Sequence, residues 1–475
     1  MDDLMQNFQA ASPRHIAVRT PPASWLIHGF VLALFVLLLL RACNTHGVLT
    51  WGTGLVYIAY DTFLLAFTAV QTFSIAPARP VIPQTGGARL SVGVVIAAHN
   101  EAPVLAPTLA ALLRQTDRPD TILIADDGST DDSAASLASY GLVEPALGTA
   151  SVSTSVAGLI WLRLPHGGKA RALNAAIQAI STDVVLTVDA DTMLERDAVA
   201  SLRATFSGTP ELVAATGVLT PTCGPGFAAR LLRWFQVYEY IRNFLSRFAW
   251  MRADGLLLIS GACAGFRRDA VLTVGGFDPD SIVEDYELIH RLRRYAVRHG
   301  LVWTTAVLGG VRARTDAPAS VAAFLRQRRR WFGGFLQTQF FYRDMVGNPA
   351  YGRLGTWMLP VKAADTLQPL YGLAAFALLL WYLAHGQWHV LLPVGIVIGA
   401  KIGIDLLFHL WSVHLYRRWT GDRTGASFGY ALAAALLEPF SFQLLRHTGA
   451  ALGWVMFLSG QRGWGRPMRR AEVLA

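Results

Sequence analysis

Two carboxylates flank one small residue in Asp189-Ala190-Asp191, directly after the apolar, β-branched run Asp183–Val188. Acids so spaced at a strand end can share a divalent cation, since hard cations take oxygen ligands and Mg²⁺ is commonly held by one or two carboxylates plus substrate phosphates. The same residues also suit a plainer arrangement, a helix starting near Thr192 with solvated acids at its N-terminus. A second acidic turn, Asp126-Asp127-Gly128-Ser129-Thr130, ends the short apolar stretch Thr121–Ala125. A carboxylate there can accept from a nucleobase edge; alternatively Ser129 or Thr130 caps the next helix, with Asp131 and Asp132 favoured by its dipole.

Three further groups carry chemistry. Gly167-Gly168-Lys169 opens a helical stretch after an apolar run. It resembles a phosphate cradle without the full spacing of a nucleoside-triphosphate loop, and Lys169 is either a diphosphate contact or a surface cation. In Val283-Glu284-Asp285-Tyr286-Glu287 a carboxylate pair can supply a general base for a sugar hydroxyl, or can be a charged first helical turn. The cluster Arg326-Gln327-Arg328-Arg329-Arg330-Trp331 can lie on an anionic membrane surface or clamp a pyrophosphate with its Trp stacked on a sugar.

Positioning these groups takes an alternation of strands and helices. Leu90–Ala97, Thr121–Ala125, Gly158–Leu164 and Asp183–Val188 read as buried strands; Ala102–Gln115 and the stretch from Lys169 have helical spacing. Such alternation predicts a mostly parallel sheet covered on both faces, with ligands at the carboxyl ends of its strands, where the acidic clusters lie.

The rest of the chain is of another kind. Only 15% of the 475 residues are charged and 53% are apolar, with a net charge of +9. That excludes an ordinary charged soluble enzyme, a disordered tail and a collagen-like fibre, and it points to a membrane rather than to nucleic acid. The three cysteines, Cys43, Cys223 and Cys263, are too few and scattered for a disulfide framework or a zinc site. Spans are expected at Ser24–Cys43, Trp51–Phe73, Leu367–Leu383 and His389–Leu415. The first does not read as a signal peptide. Ser427–Ser459 is apolar but broken by Glu438, Pro439 and Arg446, so it is a hairpin, a kinked span, or one span with an interfacial piece. Arg14 and Arg19, the Arg-rich middle, Arg417, Arg418 and Arg423, and the tail residues Arg462, Arg466, Arg469 and Arg470 all favour one side, the cytoplasm. Phe227–Trp250 and Phe332–Tyr342 mix aromatic and basic residues and are expected at the interface. Asp61, Asp365 and Asp405 lie in or beside apolar stretches, as functional candidates or as helix-to-helix hydrogen bonds.

Taken in order, strand–Asp126-Asp127-Gly128-Ser129-Thr130, Gly167–Asn174 (GGKARALN), strand–Asp189-Ala190-Asp191, Val283-Glu284-Asp285 and Gln327–Trp331, between flanking spans, resemble the family 2 processive glycosyltransferases. These include the bacterial cellulose, hyaluronan, chitin-oligosaccharide and poly-N-acetylglucosamine synthases. The likeness covers about residues 90 to 340. It implies a GT-A-type α/β domain inserted between N- and C-terminal transmembrane helices. The implied divisions are an N-terminal cytoplasmic segment (1–23), two transmembrane helices (24–76), a cytoplasmic catalytic domain with interfacial helices (88–345), C-terminal transmembrane and interfacial helices (355–460) and a basic cytoplasmic tail (461–475). No appended regulatory domain is expected.

By the same resemblance, Glu101 of Ala98-His99-Asn100-Glu101 would help hold the uridine, with His99 where the family usually has Tyr. Asp127 would contact the uracil, Lys169 the donor diphosphate and Asp189 the donor. Asp191, with Asp189, would ligate Mg²⁺ or Mn²⁺, and Asp285 would be the base after Glu284. Gln327, Arg330 and Trp331 would contact the pyrophosphate and the acceptor end. Cys263 falls where the family lines the acceptor site, although a buried core thiol is the plainer reading. One base and no second nucleophile imply inversion, from an α-linked UDP-sugar to a β-linked product. The expected partners are a UDP-sugar, a polysaccharide acceptor and the lipid bilayer of a bacterial-type inner membrane, with room for accessory export subunits and no nucleic acid. Two rivals share the motifs: a membrane enzyme adding one sugar to a polyprenyl phosphate or glycolipid, and a nucleotide-binding transporter or assembly protein. The residues do not fix the sugar or the linkage.

Overall fold

The computed structural model describes residues 2–16, 18–42, 47–78, 89–422 and 428–460. Cys43, Arg423, Arg462, Arg466, Arg469 and Arg470 lie outside these residues, as does the 461–475 segment. The described elements begin with α1 (Asp2–Ala11), α2 (Pro22–Ala42) and α3 (Gly52–Thr72). There follow β1 (Val92–Ala98), α4 (Ala102–Leu113), β2 (Thr121–Asp127), α5 (Ser133–Ala138), β3 (Ala150–Val152), β4 (Leu159–Leu164), α6 (Lys169–Ala179) and β5 (Val184–Asp189). Next are β6 (Thr192–Leu194), α7 (Ala198–Gly208), β7 (Leu212–Thr222), α8 (Phe227–Arg252), β8 (Cys263–Arg267), α9 (Arg268–Thr273), α10 (Glu284–Arg298) and β9 (Thr304–Asp316). The order closes with α11 (Val321–Phe341), α12 (Leu359–Ala384), α13 (Trp388–Thr420), α14 (Phe428–Leu437) and α15 (Phe442–Leu458).

Nine described strands form one sheet in the order β3-β4-β2-β1-β5-β8-β7-β9-β6. The β4-β2-β1-β5 centre is parallel, and β3, β6 and β8 run antiparallel to their neighbours, so the sheet is mixed. Val92, Val94, Val95 and Ile96 of β1 are fully buried, as an apolar run covered by helices on both faces requires. The parallel register brings Ala98, Asp126 and Asp189 to one edge. A helix from Thr192 does not form. Thr192–Leu194 pairs antiparallel with Ala313–Thr315, and the Thr192 hydroxyl bonds that of Thr315 at 2.8 Å, so the chain past Asp191 is held extended.

Among the described residues, four helical segments are long and apolar enough to cross a membrane: Pro22–Ala42, Val48–Thr72, Leu354–Ala384 and Trp388–Thr420. The Ser427–Ser459 stretch resolves, over its described part, into two shorter helices. Pro439 has no N–H for a helix ladder, and Glu438 at the break is buried and bridged by Arg242, Arg446 and His409. Past this turn α15 lies along α11. Gly449 admits the Arg328 side chain, and Gly453 meets Phe332 and the backbone of Gly333.

The two segments expected at an interface are largely enclosed by protein. In α8, Phe235, Ile241, Phe244 and Leu245 are buried, and in α11 Gly333, Gly334, Leu336 and Gln337 are. Glu239 of α8 ties the helices together, bonding Arg328 at 2.6 Å and Arg446 at 3.2 Å. The N-terminal segment also packs on the α/β domain. Phe8 covers Gly275, whose positive φ and lack of a Cβ let the Phe8 backbone approach, and Arg14 bonds Asp278 at 2.5 Å. Of the apolar-stretch acids, Asp61 and Asp405 flank Lys401, and Asp365 bonds Tyr60 and Lys362, so each makes a helix-to-helix or intrahelical ion contact.

Candidate active site

The turns after β1 and β2 interlock. Asn100 takes a positive φ, a conformation Asn tolerates better than most residues. Its Oδ1 accepts from the Thr130 N–H at 2.8 Å, and its own N–H donates to the Ser129 hydroxyl at 3.0 Å. Asp127 organises the loop before α6: its carboxylate accepts from the N–H groups of Gly167 and Gly168 at 2.7 and 2.9 Å. That loop delivers Lys169 to the first turn of α6. The Lys169 Nζ lies 2.6 Å from Asp189 and 3.5 Å from Glu284. Burial alone would lower this ammonium, but Asp189 and then Glu284 outweigh it and hold it above its ordinary value. Burial raises the Glu284 carboxyl, against the pull of Lys169, with the Asp285 charge adding to the rise.

Asp285 stands in the first turn of α10. Its Oδ2 accepts from the Gly261 N–H at 2.7 Å and its Oδ1 from the Tyr286 N–H at 2.8 Å, so the carboxylate is fixed at a helix N-terminus. The loop into α10 is anchored from two sides. Asn174, at the end of the Gly167–Asn174 motif, donates to the Phe277 carbonyl at 2.8 Å and accepts from the Phe277 N–H at 2.7 Å. Gln337 of α11 accepts from the Ile282 N–H at 3.1 Å. The helix carrying Lys169 and the helix carrying Asp285 are thus braced against each other. Sequence reasoning quoted the motif containing Asn174 without giving that residue a role. Asn174→Ala, which strands both backbone groups of Phe277, is expected to cost roughly 1–3 kcal/mol of stability. Thermal unfolding beside the wild-type protein measures this.

One cavity of about 1940 Å³ gathers these groups. Glu101, Asp127, Lys169, Asp189, Asp191, Glu284, Asp285, Gln327, Arg330 and Trp331 all line it. Cys263 does not. It is fully buried, because β8 pairs with β5 and β7 and turns this side chain into the core beside Gly217, and burial pushes its thiol up to about 12. It is a core thiol and not an acceptor-site residue; Gly261 and Ala262 are the residues of this segment that line the cavity.

The whole basic cluster, Arg326 to Trp331, lines the cavity, and within it Arg328 is paired with Glu239 and stacks over Phe324 and Trp331. The charge of Arg330 is close enough to lower Glu284. This arrangement fits a pyrophosphate clamp and does not need a membrane surface.

Two carboxylates that flank Ala190 at a strand end and face one cavity are a hard oxygen donor set, which fits Mg²⁺ or Mn²⁺ completed by phosphate oxygens. A second group, His99, Asp127 and His166, also has its ligand atoms within 4.8 Å of one another. It fits a metal poorly. The two rings stack at 4.2 Å and 25°, both Nδ1 atoms are taken up by the Asp127 backbone carbonyl at 2.8 and 3.1 Å, and the Asp127 carboxylate is engaged with the Gly167–Gly168 loop. The pair is better suited to a flat stacking surface.

The family model of Glycosyl transferase family 2 matches residues 93–275, which cover these motifs up to Gly275. A poly-β-1,6-N-acetyl-D-glucosamine synthase of Staphylococcus aureus (strain COL) is 28% identical over 250 residues, 50% of this chain and 53% of that protein. The synthase of the same name from Staphylococcus epidermidis is 26% identical over 252 residues, 51% of this chain and 54% of that protein. The chain thus aligns with about half the length of these curated relatives. Among solved structures, a mannosyltransferase from Pyrobaculum calidifontis in complex with GDP-Man and Mn²⁺ has a TM-score of 0.51 at 20% identity, covering 82% of this chain and 99% of that one. That likeness establishes the GT-A-like fold.

Proposed function

We propose, from the family 2 glycosyl transferase domain formed by residues 93–275, that the chain is a membrane enzyme transferring a hexose or N-acetylhexosamine from a UDP-sugar to a growing β-linked polysaccharide. The observation carrying this reading is the continuity of the cavity. From the strand ends at Asp127 and Asp189 it passes Asp285 and Trp331 and reaches Asp61, Leu64, Asp365, Gln368 and His447, residues of or beside the candidate spans. A donor site opening toward membrane helices suits an enzyme whose product leaves between those helices.

The geometry supports the following roles. Asp127 and the stacked His99 and His166 form the nucleobase end. Lys169 and Arg330 neutralise the charge that builds on the leaving diphosphate. Asp189 and Asp191 would hold Mg²⁺ or Mn²⁺, which supplies Lewis-acid neutralisation of the same charge when bound. A sugar hydroxyl is a weak nucleophile, and Asp285 removes its proton as it attacks the anomeric carbon. Attack in a single displacement inverts that carbon, giving a β-linkage from an α-linked donor. In this reading the α/β domain faces the cytoplasmic side of an inner membrane, where UDP-sugars are found, and accessory export subunits would meet the exposed candidate spans.

Arg330→Ala is expected to weaken UDP binding roughly 10- to 10²-fold, the loss of a charge-assisted contact to phosphate. Trp331→Ala is expected to stop chain growth with UDP binding retained. Titration with UDP and gel sizing of product check both; full-length polymer and wild-type UDP affinity in Arg330→Ala would return the cluster to a membrane contact. The purified chain in lipid, given a panel of UDP-sugars, tests the reading itself. A long, glycosidase-sensitive product supports it, a single added sugar on a lipid acceptor favours the non-processive enzyme, and nucleotide binding without transfer favours a transporter or assembly protein.

A further inference from the structure

The loop between α9 and α10, Val274 to Val283, runs directly into Glu284 and Asp285 and is held from two directions. From inside, Asn174 of α6 binds both backbone groups of Phe277. From outside, the residues ahead of the first candidate span close over it. The Asn7 amide donates to the Leu272 carbonyl at 3.1 Å, the Phe8 backbone lies on Gly275, and Leu4 reaches Gly276. Both glycines have positive φ, and a Cβ at either would strike these neighbours, so the loop and the N-terminal segment are fitted to each other.

Arg14 joins more than the loop. Its Nη1 donates to Asp278 at 2.5 Å and its Nη2 to Asp280 at 3.3 Å, while the guanidinium packs over the Phe341 ring at 5.1 Å. One side chain therefore ties the approach to α10, which carries Asp285, to the end of α11, which carries Gln327, Arg330 and Trp331. From α10 itself, Arg291 packs over the Phe8 ring at 4.6 Å, and Arg294 donates to the Ala11 carbonyl at 3.2 Å. Just beyond, Ala23 and Ile27 of α2 lie against Gly347, past the end of α11. Asp278 is buried; burial raises its carboxyl and the Glu287 charge adds to the rise, against the pull of Arg14. Removing that guanidinium leaves a buried acid facing Glu287 without its hydrogen-bonded cation, which favours movement of the loop. Leu4, Phe8 and Arg14 are not among the residues lining the cavity, so any effect on transfer passes through the loop.

We propose that the N-terminal segment braces the catalytic base and that Arg14 is a positioning residue: through Asp278 and Asp280 it fixes the loop into α10, and with it the aim of the Asp285 carboxylate. This rests on Asp285 being the base of a glycosyl transfer and adds what holds it in place.

The test uses the full chain in lipid nanodiscs, as wild type, Arg14→Ala, Arg14→Lys, Asp278→Asn, Asp285→Asn and the Arg14→Ala/Asp285→Asn double variant. UDP release from UDP-N-acetylglucosamine and UDP-glucose gives kcat and KM. Hydrogen–deuterium exchange of the Gly261 and Tyr286 amides, both held by the Asp285 carboxylate, reports its position without needing activity. Arg14→Ala should lower kcat roughly 10- to 10²-fold, the scale of a small misplacement at the reacting groups, with the donor KM nearly unchanged. It should also speed exchange at both amides, and Arg14→Lys should recover part of each effect. In the Asp285→Asn background, losing Arg14 should cost no further rate, because two changes acting on one group are not additive. A general loosening of the fold would instead slow both backgrounds alike. Should Arg14→Ala fail to fold, Asp278→Asn breaks the same pair from the loop side, keeps an oxygen for the Asp280 N–H, and is held to the same outcomes. Wild-type kcat without Arg14, an equal loss in both backgrounds, or unchanged exchange at Gly261 and Tyr286 would overturn the proposal. A wild-type chain that transfers no sugar, yet whose two amides exchange faster in Arg14→Ala, would uphold the brace and sink the transferase reading. A chain that transfers sugar at full rate in Arg14→Ala would do the reverse.

Discussion

Asp285→Asn is expected to lower the transfer rate roughly 10²- to 10⁴-fold while leaving UDP-sugar binding at the wild-type level, since a general base contributes about that much and acts on the acceptor. The substitution is close to isosteric. Oδ1 can still accept from the Tyr286 N–H, and the amide group replaces only the oxygen that accepts from Gly261. The first turn of α10 also carries Glu284 and Glu287, so the helix keeps most of its favourable N-terminal charge. If Asp285 served the helix dipole alone, the loss would be about 0.3–1 kcal/mol of stability with turnover nearly unchanged. Donor binding and turnover measured on one purified sample separate the two roles, and normal turnover would remove the base assignment.

Asp191→Asn should act on the donor instead. Its carboxylate is buried and accepts from the hydroxyl of Thr315 at 3.4 Å, a contact that an amide oxygen can still accept. The fold should therefore persist. What is lost is an anionic ligand, so the part of UDP-sugar affinity that depends on Mg²⁺ or Mn²⁺ should fall away and transfer should drop by about 10²-fold or more. Titrations with and without Mn²⁺, on protein with an unchanged circular dichroism spectrum, measure this directly. Near-normal turnover by a folded, membrane-inserted Asp191→Asn protein would mean that the Asp189–Asp191 pair is not the metal site.

The strand ends were legible because their signals are local. An apolar β-branched run followed by acids at a turn can hardly be other than a strand delivering carboxylates to the edge of a parallel sheet, and Asp127, Asp189 and Asp191 all reach that edge. The long apolar helices were legible for the same reason, length and composition sufficing. Less legible was anything set by which face an element turns inward. Cys263 adjoins the lining residues Gly261 and Ala262 in sequence, yet strand pairing places its side chain in the core. Thr192 could start a helix until its hydrogen bond to Thr315, 123 residues on, holds it in a strand. The Asn174–Phe277 brace spans 103 residues and leaves no periodicity to read. Phe227–Trp250 is a mixed aromatic and basic stretch that resembles an interfacial helix until the packing of α8 shows which of its residues line the cavity. Glu438 and Pro439 marked a break correctly, but only the ion contacts with Arg242, Arg446 and His409 show where the chain goes afterwards.

The central claim is that the cavity at the sheet edge is a metal-dependent site for transfer from a nucleotide sugar. Release of UDP from UDP-N-acetylglucosamine and UDP-glucose by the purified chain in lipid, followed continuously with Mn²⁺ or Mg²⁺ and then with a chelator, tests it most directly. The account predicts steady, acceptor-stimulated release with at least one donor, stopped by the chelator and restored by the metal. No release with either donor, or release indifferent to the chelator, would contradict it.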